Sequence, residues 1–257
     1  MQSKPRLNRC VMQQRKRREK TDGLGYYTYW DKNRENGCIY CGDKATTREH
    51  VPSKTLLAEP YPTNLPTIPA CFNCNNDFSF DEQYFSYYLE GLKSFIYEDY
   101  VCNEKILTTL NKSHLLKSLI ESQIKKVDGK VIFEFDEQRF VRIINKLAIG
   151  HAGYDFDNVD FDAPKNTWFE FAFFLSNEQK DDFCTPQIMN KFPEISSRYS
   201  CNYCILENIE TGETYLLNEW IEVQEQRYKY HIYLNNDGGI FVRIVINEIL
   251  YCQVDFE

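Results

Sequence analysis

The chain has 257 residues, 42% of them apolar, with 18 Tyr and 18 Phe, so it can bury a substantial core and does not read as wholly disordered. The formal charge of −8 is unevenly spread: residues 1–80 hold 13 Lys and Arg against 8 Asp and Glu, a net of +5, whereas residues 81–257 hold 17 against 30, a net of −13. No apolar run approaches the roughly 18 residues of a membrane helix, and no apolar stretch follows the basic start, so neither a membrane span nor a secretory signal is expected and a cytoplasmic location is the default.

In chain order, residues 4–20 come first as a basic run that includes Arg15, Lys16, Arg17 and Arg18. Such a run reads equally as an arm that tracks phosphates or as a solvated tail. Residues 21–25 read as a linker, which closes an N-terminal arm over 1–25. Residues 26–80 hold five of the nine prolines and little periodic sequence, as in a small unit stapled by metal. Ser79-x-x-Glu82 has the spacing of a helix-capping box. Tyr84, Phe85, Tyr88, Leu89, Leu92, Phe95 and Ile96 then recur at helical spacing, so a helix is expected to start near Ser79. A second helix is expected over residues 112–126, with Leu115, Leu116, Leu119 and Ile120 on one face. A strand is expected over 131–135, and a third helix through Phe140, Ile144 and Leu147, capped by Gly150. From about residue 166 the pattern turns to strands. The Asn- and Gly-rich turn at 235–239 separates two alternating runs, Tyr228–Leu234 and Ile240–Ile246, as in a β-hairpin, and residues 250–256 alternate as a last strand. The fold class is therefore α+β: a small N-terminal unit, a helical segment, and an antiparallel β-rich C-terminal region. The division is an arm over 1–25, a first domain over 26–97 and a second over 98–257.

Two Cys-x-x-Cys pairs carry the strongest chemical signal. Cys38 and Cys41 form one and Cys71 and Cys74 the other. The two-residue spacer turns both thiolates of a pair toward one ion, and two pairs complete a tetrahedral Zn²⁺ site. Four cysteines leave no open coordination position, so this zinc is expected to be structural. Gly42 suits the tight turn after the first pair. A third Cys-x-x-Cys, Cys201 to Cys204, lacks a partner pair and reads more readily as part of a strand.

Arg48-Glu49-His50-Val51-Pro52 lies between the two pairs. A carboxylate beside a histidine suits phosphodiester hydrolysis, in which a water must be activated and charge on the phosphate neutralised. The whole array, Cys-x-x-Cys, Glu-His-Val-Pro, Asn64-Leu65 and Cys-x-x-Cys-Asn-Asn, resembles the HNH endonuclease family over about residues 36–80. The resemblance implies a ββα-metal module on a four-cysteine zinc knuckle. It implies His50 as general base, Glu49 and Asn75 as ligands of a catalytic Mg²⁺ or Mn²⁺, and Asn64 as the residue bracing the loop of the base. Three departures from the common pattern stand: Glu in place of Asp, Asn in place of the last His, and a long stretch from Asn64 to Cys71, with Asn76 and Asp77 as alternative ligands to Asn75. The implied substrate is DNA, with RNA as the alternative polymer, in phage defence or a mobile element. Arg48 and Lys54 are candidates for phosphate contact alongside the basic arm. The C-terminal domain is expected to recognise substrate or to hold a homodimer or effector-complex partner. The competing expectation is a non-catalytic zinc module that binds nucleic acid or protein.

Overall fold

The computed structural model describes residues 37–97, 100, 102–128, 130–156, 164–189, 203–235 and 238–256. The basic arm and the pair partner Cys201 lie outside them. Two short strands, β1 (Thr47–His50) and β2 (Thr67–Ala70), pair antiparallel with Glu49 opposite Ile68 and His50 opposite Thr67. They lead directly into α1 (Phe72–Ile96), a helix of 25 residues.

α1 begins at Phe72, two turns before the expected start at Ser79. Cys71 is its N-cap, with its sulfur accepting the backbone N–H of Cys74. Ser79 and Glu82 sit inside the helix instead of capping it, and the Ser79 hydroxyl donates to the carbonyl of Asn76. The aromatic stripe behaves as expected: Tyr84, Phe85, Tyr88, Leu89 and Leu92 are fully buried.

The next helix is split into α2 (Glu104–Lys112) and α3 (His114–Gln123). Of the face expected there, Ile120 is buried while Leu115 is exposed. A small hairpin follows, β3 (Ile124–Val127) with β4 (Lys130–Phe133). Then α4 (Glu137–Asp155) runs on past Gly150, which is a packing position and not a cap. A Cβ at Gly150 would lie 3.3 Å from Val51 Cγ2 and 3.6 Å from Ile68 Cδ1, so its missing side chain lets α4 approach the β1–β2 hairpin.

The C-terminal half forms a five-stranded antiparallel sheet in the order β5 (Asn166–Phe171), β12 (Leu250–Phe256), β11 (Ile240–Ile246), β10 (Tyr228–Leu234), β9 (Ile221–Gln224). The expected hairpin and final strand match β10, β11 and β12. A three-stranded sheet, β6 (Ile188–Met189), β8 (Thr214–Asn218), β7 (Tyr203–Glu207), accompanies it. An unexpected helix, α5 (Asn177–Cys184), is opened by a capping box between Ser176 and Gln179.

Strand alternation divides the large sheet into two faces. Tyr230, Ile232, Val242, Ile244, Cys252 and Val254 are buried on one face, in a continuous apolar cluster with α1 and α4. On the other, Val245, Tyr251 and Ala172 are covered by Phe183 of α5, Leu175 and Trp220. The main core runs unbroken from Leu56 to Phe256, and α4 is its hinge piece, touching α1, β2 and the sheet. Among the described residues no helix is long and apolar enough to cross a membrane.

Candidate metal centre and the ion pair beside it

The two Cys-x-x-Cys pairs meet in space. The sulfurs of Cys38, Cys41, Cys71 and Cys74 all lie within 4.8 Å of one another, and Cys41 and Cys71 are 3.7 Å apart. A tetrahedral site with Zn–S bonds of about 2.3 Å places its sulfurs about 3.8 Å apart, so the group fits one zinc ion. Among the described residues it is the one His/Cys/Asp/Glu group with metal-holding geometry.

Local backbone chemistry builds this centre. Gly42 N–H donates to the Cys38 carbonyl at 2.8 Å and Gly42 adopts φ +76°, the tight turn its position predicts. Ile39 N–H donates to the Pro69 carbonyl, stitching the knuckle to β2. The Thr46 hydroxyl accepts from Phe72 N–H, one of the free donors at the start of α1. The hydrogen bond from Cys74 N–H holds the Cys71 thiol below its ordinary range, while burial pushes Cys41 up to about 11. The apolar cluster around the knuckle is small, limited to Cys38, Ala70 and Cys71 with Tyr40, Cys41 and Cys74 packed against it. A structural zinc contributes on the order of 10 kcal/mol, comparable with the whole net stability of a typical domain. A zinc ion held there would therefore be the main fastening of residues 38–46, ahead of apolar burial.

Glu49 leaves β1 toward the interior. It is 6% exposed, and its Oε1 accepts from Lys146 Nζ on α4 at 2.9 Å. Lys146, itself 2% exposed, also donates to Glu82 of α1. Burial raises the pKa of Glu82, and Lys146 opposes that shift. Tyr40, beside the cysteines, is pushed well up by burial and next by the charge of Glu49, which places the knuckle and the ion pair in one neighbourhood. Asn75, in the first turn of α1, donates from Nδ2 to Thr47 Oγ1 at 3.3 Å. Thr47 and Glu49 are two apart on β1 and so share a face, which brings Asn75 to the Glu49 side of the hairpin.

His50 is the last residue of β1 and is half-buried. Alternation directs it to the face opposite Glu49. Burial first, and the charge of Lys54 second, hold its pKa below the ordinary value. Asn64 is exposed in the loop between β1 and β2, and its side chain makes no hydrogen bond among the described residues. Arg48 is exposed on β1, and the ammonium of Lys54 lies 5.2 Å from the centre of the Tyr61 ring. The carboxylate of Glu49 and the amide oxygen of Asn75 are hard oxygen donors of the kind Mg²⁺ or Mn²⁺ takes, and they fit such an ion in chemical type. The Lys146 ammonium beside Glu49 opposes it in charge.

Lys146 is not reached from the sequence, and Glu82 is reached only as a capping residue and not as an ion-pair partner. The available signal was a pair of complementary stripes. Arg139, Arg142 and Lys146 recur at helical spacing on α4, and Asp77 and Asp81 do so on α1, with Glu82 next to Asp81. Arg139 bonds Asp81 at 3.3 Å and Arg142 bonds both Asp77 and Asp81. Asp77 is thereby engaged with Arg142. Compared with known proteins, the chain matches no family model, no curated protein and no solved structure.

Proposed function

We propose that the chain is a metal-dependent endonuclease of the HNH type, a ββα-metal module fastened by a structural zinc and followed by an α+β domain. One observation carries the reading: the hairpin and helix closed by the four cysteines bring Glu49 and Asn75 to one side of β1, while His50 ends the same strand on its other face, next to the edge where a substrate phosphate would have to lie. Mg²⁺ or Mn²⁺ bound there would supply Lewis-acid neutralisation of the phosphate. Glu49 and Asn75 would hold it through oxygen. His50 would accept the proton of the attacking water at an imidazole nitrogen, and burial, which lowers its pKa, favours the unprotonated ring that a base needs. Arg48 and Lys54 flank His50 in sequence and would meet the polymer's phosphates. DNA is the proposed polymer.

The test is cleavage of supercoiled plasmid by zinc-loaded protein with added Mg²⁺ or Mn²⁺, run beside a matched RNA. Nicking of DNA that falls at least about 100-fold in His50→Ala is expected, as for loss of a general base. Nicking that persists in that variant would sink the mechanism, and cleavage of the RNA alone would reassign the substrate.

The pairing of Glu49 with Lys146 favours a second reading, a non-catalytic zinc module that binds nucleic acid or protein. A module of that kind binds DNA in gel shifts, with or without His50, and cuts nothing when Mn²⁺ is added.

A further inference from the structure

We propose that Lys146 is an internal counter-ion that competes with a divalent cation for Glu49, and so sets how tightly that cation binds. The inference rests on Glu49 being a ligand of the second ion. Lys146 comes from α4, outside the hairpin–helix unit, 97 positions from Glu49. Burying an ammonium is costly unless it is paired, and this one is 98% buried with two carboxylates as partners. Gly150, one turn further along α4, makes the reach possible: its missing Cβ lets the helix settle against Val51 and Ile68, the residue opposite Glu49 on β2. The cluster of Glu49, Glu82 and Lys146 carries two negative charges against one positive, so it is one positive charge short of neutral. A divalent ion arriving at Glu49 meets that residual negative charge, but also a fixed ammonium bonded to the same carboxylate. Two cations at one carboxylate repel each other strongly in a buried setting. Lys146 therefore lowers cation affinity, and with it the metal concentration range over which the site fills.

The test measures Mn²⁺ binding to the zinc-loaded full chain without nucleic acid, by the paramagnetic resonance signal of free Mn²⁺. Lys146→Met, close in length and uncharged, should bind Mn²⁺ at least roughly tenfold more tightly than the unaltered chain, and Lys146→Arg, which keeps the charge, should not. Mn²⁺ should also raise the melting temperature of Lys146→Met more than that of the unaltered chain. If Lys146→Met does not fold, K146M/E82Q removes one charge of each sign and should still bind more tightly than the unaltered chain. Equal or weaker binding in the folded variant overturns the proposal. Glu49→Gln separates the two levels of inference. Binding unchanged in Glu49→Gln removes the ligand assignment and the competition together. Tighter Mn²⁺ binding in Lys146→Met without any plasmid cleavage leaves the competition standing and removes only the nuclease.

Discussion

His151 sits inside the core on α4, its Nε2 2.8 Å from the Tyr228 hydroxyl and its ring stacked 3.7 Å from Tyr230. Burial alone depresses its pKa to about 3, and burial is the largest cause that holds His231 at about 4. An unfolded chain protonates both near 6.5. Above that pH neither state binds the proton and the two histidines contribute no pH dependence. Below it the unfolded chain takes up protons that the folded chain refuses, so stability falls as pH drops from 6.5 toward 4 and 3. Melting curves at pH 7, 6 and 5 should show a decline that is shallower in His151→Gln, and an identical slope in the variant would assign the loss to other groups. At this scale the cysteines were legible because a two-residue spacer is local information. Lys146 was not, because its partners lie 64 and 97 positions away and only the folded chain brings them together.

Elements were legible in type more than in extent. The period-two runs of β10, β11 and β12 appear in the sequence because one face of each strand is buried and the turn between β10 and β11 is rich in Asn and Gly. The start of α1 was misplaced because a thiol acts as its N-cap. Cysteine is not among the usual capping residues, so Ser79 drew the boundary two turns late. Glycine usually ends helices, whereas Gly150 lies mid-helix, where its missing Cβ leaves room for the close-lying side chains of Val51 and Ile68. A leucine at Gly150 should therefore cost roughly 1–3 kcal/mol by overpacking, despite its better helix propensity, measurable as a lower denaturant midpoint. A neutral or stabilising effect would mean that α4 does not press on the hairpin as described. The α5 helix carried a legible signal, Ser176-x-x-Gln179, hidden only by its setting in a strand-rich region.

For the whole molecule, two kinds of fastening coexist. Zinc would hold residues 38–46 to the start of α1, while apolar burial holds α1, α4 and the five-stranded sheet. Chelation should then act unevenly. Hydrogen exchange after zinc removal should accelerate at β1, β2 and the first turn of α1, while β10 to β12 stay protected. Uniform loss of protection would show that the sheet depends on the metal as well. Replacing Cys38 with Ser should reproduce the chelator's effect and lower the zinc content from about one per chain to near zero, since it removes one of the four protein ligands that close a structural zinc site.

The proposed chemistry places two ions in one neighbourhood, a closed zinc among four sulfurs and an exchangeable cation at Glu49 and Asn75. Anomalous scattering from a crystal soaked in Mn²⁺ locates both directly. A zinc peak among Cys38, Cys41, Cys71 and Cys74, with a separate manganese peak within about 2.4 Å of a Glu49 carboxylate oxygen and of Asn75 Oδ1, is the predicted result. Manganese bound only elsewhere, with Glu49 still closed on Lys146, would contradict the account.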